Sequence, residues 1–351
     1  MENNKIGINN NFSIIRLMAA FLVFAGHMYV LMGMGVPTLM IQPIHRMGII
    51  VFFICGGYLI SKSWERDKNY IHYMLKRVFR IVPAMAVYCV FTACVIGPII
   101  TTIPLKEYFS HILFKSYFKN IVLYITYFLP GIFESNPYPN AVNGSIWSLP
   151  VEFMMYFFVP LLGGGTKLKR KIVICVTGII CFFSLIWQMC FSDIRIVFYA
   201  MDFGQVISII PYYLLGIMVA VLDINKKYFD IVVAVVLMII VSALSIKSVF
   251  FLNIIEYFAL PYLIFSIAFA EKGKIGKWAD KLEISYGIFL YGFMVQQLMI
   301  YILYSNEIYL SFCNMLIICL AITVVLALIS NKYVEKPMIK LCKKIIIKMK
   351  K

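Results

Sequence analysis

The chain has 351 residues, 62% of them hydrophobic and 14% charged, with a formal charge of +16 and a mean hydropathy of +0.90. That composition excludes a soluble globular domain and a disordered polar chain. It also argues against a nucleic-acid surface, because the basic residues are divided among short stretches between long apolar runs.

About ten of these runs can cross a hydrocarbon core ~30 Å thick. They are 12–33, 45–62, 80–100, 145–162, 172–190, 204–222, 230–247, 252–270, 284–304 and 311–331. The expectation is an all-α integral membrane protein with one transmembrane domain, no cleavable signal peptide and no extramembrane domain. The run at 45–62 is the weakest, because it carries the pair Gly56–Gly57, and the amphipathic stretch 106–130 is not counted as a span. With these spans, the stretches on the N-terminal side of the membrane hold 26 of the 32 Lys and Arg residues. The positive-inside rule then puts both termini in the cytoplasm. The nine cysteines show no CxxC spacing, so neither a disulfide framework nor a metal site is indicated. The tail KLCKKIIIKMKK reads as an amphipathic stretch at the membrane surface, where basic residues are drawn to anionic lipid.

The first span carries Arg16 and His27, eleven residues apart. Eleven residues turn a helix through about 1100°, so both side chains leave one face, ~16 Å apart along the axis. Ionisable groups inside a membrane mark candidate functional positions. Arg16 sits near the cytoplasmic end and His27 nearer the outer one. The plainer readings are a snorkelling anchor for Arg16 and a carbonyl hydrogen bond for His27.

Between spans two and three lies KSWERDKNYIHYMLKRVFRIVP. Arg77 and Arg80 are spaced i, i+3 on a helix entering the membrane, with Lys76 beside them. Guanidinium groups suit multidentate phosphate recognition, although a positive-inside anchor uses the same residue types.

The outer segment LPGIFESNPYPNAVNGSIWSLPVEF is dense in turn formers and reads as a structured loop. Ser148 then caps a helix with Pro150 in its first turn. Glu152 falls just inside, at a depth expected to match His27, where a carboxylate would orient the imidazole. An acid favoured by the helix dipole is the alternative. Trp147 suits an interfacial anchor or the wall of a sugar site. Glu256, inside NIIEYFALPYLIF, needs a buried partner and is a candidate for an acceptor cavity. His45, His72 and His111 read as surface or interface residues.

Taken together, these motifs resemble the membrane-bound acyltransferase family 3, nearly end to end. The resemblance rests on Arg16 and His27, on GIIVFFICGGYLI at 48–60, and on Arg77–Arg80–Ile81–Pro83. Trp147–Ser148–Leu149–Glu152, Ser285–Tyr286 in ISYGIFLYG, and Tyr333–Glu335–Pro337 complete it. Two positions depart from the family pattern: Gly56 stands where Ser is usual and Gly292 where a second His is common. The latter leaves His27 as the strong histidine candidate.

The resemblance implies an acetyl-CoA-dependent O-acetyltransferase of the bacterial inner (plasma) membrane, with acetyl-CoA as donor substrate and no permanent cofactor. It implies acyl-CoA binding at Arg16, Lys76, Arg77 and Arg80, and catalysis by His27 with Glu152. Trp147, Ser148, Tyr286 and Glu256 are the acceptor-site candidates. The acceptor would be a polysaccharide such as an O-antigen or exopolysaccharide, or its lipid-linked oligosaccharide precursor, with polysaccharide-assembly proteins as candidate partners. The C-terminal hydrolase-like domain of some family members is not expected. A transporter or flippase for a lipid-linked sugar, with the buried His and Glu as a relay, is the alternative.

Overall fold

A backbone amide inside hydrocarbon has no water to bind, so an apolar run long enough to cross must close its hydrogen bonds internally as a helix. The computed structural model describes residues 10–163, 166–243 and 249–350. Its helices, in chain order, are α1 (Phe12–Leu31), α2 (Ile44–Arg66), α3 (Tyr70–Phe91), α4 (Ser148–Leu162), α5 (Lys167–Cys190) and α6 (Phe203–Leu222). They continue with α7 (Ile231–Ala243), α8 (Val249–Phe269), α9 (Lys274–Leu282), α10 (Ser285–Ser305), α11 (Phe312–Ser330) and α12 (Lys336–Met349). The protein is all-α. Its only paired strands among the described residues are two short hairpins, Thr38–Leu39 with Gln42–Pro43 and Val197–Phe198 with Met201–Asp202.

Eight helices among the described residues are long and apolar enough to cross a membrane. The expected spans 145–162 and 230–247 correspond to the shorter α4 and α7, of 15 and 13 residues. Part of the latter span lies outside the described residues. Four spans run longer than expected, two of them, Ile44–Arg66 and Lys167–Cys190, by one to two turns and the other two by far more. The helix containing α3 starts at Tyr70 and continues through a π turn, Thr92–Ile96, to Ile100. The last continues from α11 through a π turn, Asn331–Glu335, into α12. The tail therefore packs on α3, with Cys342 and Ile346 buried. The stretch 106–130 forms only short helices, Leu105–Ser110 and Ile112–Tyr117, and a 3-10 turn.

The segment after that turn dips into the bundle as a loop. Irregular backbone at such depth needs protein partners: loop side chains anchor it to carbonyls of α10, and a glutamine of α10 satisfies carbonyls of the loop. Asn143 Nδ2 donates to the Leu290 carbonyl at 2.8 Å and Ser145 Oγ to the Phe289 carbonyl at 3.1 Å. Gln297 Nε2 donates to the carbonyls of Tyr138 at 2.9 Å and Ala141 at 2.8 Å. The loop thus reaches the second turn of α10, and α4 starts there rather than at a membrane surface.

The Gly56–Gly57 pair that weakened the 45–62 reading holds the bundle together. A Cβ on Gly57 would collide with the Tyr213 carbonyl oxygen, and one on Gly216 with the Ile54 carbonyl oxygen. Helices α2 and α6 therefore meet backbone to backbone, the close packing that small residues permit in membranes. Gly57→Val or Gly216→Val should force the helices apart at a cost of about 1–3 kcal/mol. A lowered thermal midpoint of the purified protein would show it, and an unchanged midpoint would count against this packing.

Candidate active site

Three helices that begin or end on the N-terminal side bring four arginines together. Arg16 is in the second turn of α1, Arg66 ends α2, and Arg77 and Arg80 are neighbours on α3. All four line one cavity of about 260 Å³. The acid facing it is Glu152, so the lining carries a surplus of positive charge.

Arg77 Nη2 donates to Ser63 Oγ at 2.9 Å, and its guanidinium lies 5.5 Å from the Tyr73 ring and 5.9 Å from the Tyr156 ring. These faces hold the cation by π attraction, while its buried Nε has no hydrogen-bond partner. Arg80 Nη1 donates to Glu335 Oε2 at 3.4 Å and lies 5.9 Å from the Tyr286 ring. Glu335, 1% exposed, also accepts from Ser330 Oγ, so the closing motif of the chain positions Arg80. Arg16 lies 6.0 Å from the Phe52 ring and forms no ion pair among the described residues.

Lys76 is placed elsewhere. Its Nζ donates to Asp67 Oδ2 at 2.8 Å, and it does not line the cavity. That hydrogen bond holds the Asp67 carboxyl below its ordinary range, so the pair stays charged at neutral pH. Arg66 takes the fourth place, which no spacing within one helix signals, because the meeting of three helix ends puts it there.

Glu152 requires a correction. It does not meet His27: its Oε1 accepts from Tyr156 Oη at 2.7 Å, and it faces Gly56 and the arginine cavity. Gly56 is eleven residues from His45, which stacks on His27, so Glu152 sits ~16 Å deeper, at the level of Arg16. The physical cause is the buried loop, which lowers the first turn of α4 into the membrane interior. Ser148 is likewise not a side-chain cap; it is the first residue of α4 and lines the same cavity, as does Tyr286. Trp147 is half-buried beside the core and outside that lining.

His27 is 8% exposed. Its ring stacks on His45 with centroids 5.3 Å apart and meets Phe293 edge-on at 5.2 Å. Neither ring nitrogen is committed to a hydrogen bond among the described residues. Ile49 and Phe289 line the end of the cavity. Each lies four residues from a partner of His27, namely His45 and Phe293, so one helical turn, ~6 Å, separates the cavity from the histidine pair. His45 is thus no simple interface residue, and only the packing of α1 on α2 reveals it. Gly292 stands where a second histidine is common in the resembled family, and a Cβ there would lie 2.7 Å from Phe24. His72 is buried with Nδ1 3.4 Å from Asp67 Oδ2, and His111 Nδ1 accepts from the Leu113 amide. Glu256 belongs to a separate cluster: its Oε2 accepts from Gln42 Nε2 at 2.9 Å and from Tyr212 Oη at 3.2 Å.

Residues 9–331 match the family described as an acyltransferase domain. The chain is 26% identical over 332 residues to an O-acetyl transferase of Shigella phage Sf6, covering 93% of this chain and 95% of that protein. It is also 27% identical over 174 residues to nodulation protein 10 of Rhizobium leguminosarum bv. viciae, covering 44% of each. No solved structure matches.

The Arg80–Glu335 contact predicts a stability effect. Glu335→Ala should cost about 2 kcal/mol, less than a fully buried pair because Arg80 is partly exposed. Glu335→Gln, which keeps an acceptor, should cost less. Denaturation of the purified variants measures both, and equal midpoints for Ala and wild type would show that the pair contributes nothing.

Proposed function

Since the chain belongs to this acyltransferase family, we propose that it carries an acetyl group from cytoplasmic acetyl-CoA to a hydroxyl of a surface polysaccharide or its lipid-linked precursor, in the bacterial inner membrane. The observation that carries this reading is the arginine-walled cavity ending one helical turn from a buried, uncommitted histidine. It supports a polyanionic donor held by its phosphates at one end and a thioester delivered toward His27 at the other. The basic stretches lie on the same side as the arginines, which the positive-inside rule makes cytoplasmic, where acyl-CoA is found.

In the proposed step, His27 takes the proton of the acceptor hydroxyl as its oxygen attacks the thioester carbonyl. The new C–O bond forms, the C–S bond breaks, and the proton passes to the departing thiolate. Arg16, Arg66, Arg77 and Arg80 neutralise phosphate charge, and Arg80 is held in place by Glu335. Glu152, with Tyr156, sets the charge balance of the cavity rather than the orientation of His27. Family membership favours this reading over transport of a lipid-linked sugar. Membranes containing the protein should transfer label from acetyl-CoA to the acceptor without an ion gradient; a strict requirement for a gradient would favour the transporter.

His27→Ala should leave a folded, membrane-inserted protein with no acetyl transfer, and wild-type product in that variant would overturn its role as base. Glu152→Gln should reduce activity without moving the pH profile attributable to His27. A shifted profile would restore the His27–Glu152 pairing that the geometry opposes.

Arg77→Ala and Arg80→Ala should each weaken acetyl-CoA binding about tenfold, the worth of a lost charge-assisted hydrogen bond. High salt should mimic part of the loss, and Lys should rescue only partly because it lacks the planar fork. Unchanged affinity in both Ala variants would reduce these arginines to topology anchors.

A further inference from the structure

A second cavity, of about 470 Å³, lies on the opposite side of the molecule from the arginines. Its walls are the first turn of α2, the last turn of α5, the first turns of α6 and the start of α8. We infer that this cavity is the acceptor subsite and that it binds a pyranose unit of a glycan, with Arg46, Trp187, Asp202 and Asn253 as the recognising side chains. The inference rests on the transfer reading for its role and on the cavity itself for its ligand.

Several polar groups in this wall have nothing to bind. Trp187 is 9% exposed, and its Nε1 is buried without a hydrogen-bond partner. A Cβ built on Gly204, itself in the cavity wall, would sit 3.3 Å from that nitrogen and 3.1 Å from Asp202 Oδ1. An indole donor and a carboxylate therefore converge on one spot, kept open because the residue there has no side chain. Asp202 Oδ1 already accepts from the Gln205 amide, which fixes the carboxylate and leaves its second oxygen for a ligand. Asn253 is buried, lines the cavity and makes no side-chain hydrogen bond among the described residues. Arg46 forms no ion pair there either. Gln42, in the same wall, donates to Glu256, which also accepts from Tyr212, and so is held in place.

The mixture of groups selects the ligand class. A sugar hydroxyl donates and accepts at once, so it needs amide, carboxylate, guanidinium and N–H groups interleaved. This wall supplies all four kinds. A phosphate would want a purely cationic wall, as in the arginine cavity, and an acyl chain would want an apolar one. Position links the cavity to the chemistry. Arg46 directly follows His45, whose ring stacks on His27. A sugar gripped by Arg46 is then seated one residue along α2 from the histidine pair, on the side opposite to the arginine cavity, and in this inference a hydroxyl of the glycan reaches His27 from there.

The test uses the full-length protein in lipid nanodiscs and saturation-transfer NMR. The probes are the methyl glycosides of glucose, galactose, rhamnose and N-acetylglucosamine, with acetyl-CoA as a separate probe. At least one glycoside should receive saturation on its ring protons. Trp187→Phe, which keeps the ring but removes the N–H, and Asn253→Ala should each weaken that binding about tenfold, with acetyl-CoA binding unchanged. Asp202→Asn, at a partly exposed recognising position in the same wall, should weaken it as well and guards against misfolding of the buried variants. Silence from all four glycosides in the wild type would overturn the proposal, as would unchanged binding in all three variants. Glycoside binding that behaves as expected, in a protein that neither binds nor consumes acetyl-CoA, would support this site while removing the transfer reading.

Discussion

Polar backbone has to be satisfied wherever it enters the bundle, and this requirement governs the loop before α4. Without water, its amides and carbonyls depend on protein partners. Asn143, Ser145 and Gln297 tie it to α10 through side-chain hydrogen bonds that span well over a hundred residues of sequence. Because the loop is held there, α4 starts in the membrane interior and is too short to cross it. Ser148 and Glu152 then face the arginines instead of the opposite surface, and the cavity exists because a helix begins where a full span would have filled the space.

Close packing supplies the complementary constraint. Gly57 and Gly216 let α2 and α6 touch along their backbones, and Gly48 lies against the Ala19 carbonyl of α1 at 2.5 Å from a would-be Cβ. With α1 and α2 pressed together, His27 and His45 have no room except as a stack. The same economy of space excludes a side chain at Gly292, where Phe24 of α1 fills the room. The same close packing sets the stacked histidines one helical turn from the arginine cavity.

The charge distribution differs between the two sides of the molecule. Guanidinium groups on the N-terminal side are steadied mainly by aromatic faces, and among the described residues only Arg80 of the four has a carboxylate partner, Glu335, so most of their charge is left uncancelled. The opposite cavity mixes signs and amides. Lys76, paired with Asp67, shows the other fate of a cation in this protein: a local ion pair that closes the α2–α3 turn and takes no part in the cavity.

By itself the sequence determined the helical membrane class, because hydropathy over about twenty residues is a local property that hydrocarbon enforces residue by residue. It also determined the shared face of Arg16 and His27 and the pairing of Arg77 with Arg80, since both arise from helical periodicity within one element. The partners of those residues were decided only by tertiary structure. Whether Glu152 meets His27 or Arg16 depends on how deep a loop sinks, and that depth is set by hydrogen bonds to α10, far away in the chain. His45 and Arg66 gained their places the same way, one by the contact of α1 with α2 and the other by three helix ends meeting. Trp187 and Asn253 come from separate helices and Asp202 from the hairpin before α6, and they share a wall only after these elements pack. Periodicity reports which way a side chain points along its own helix; what it points at is settled by the packing of the others.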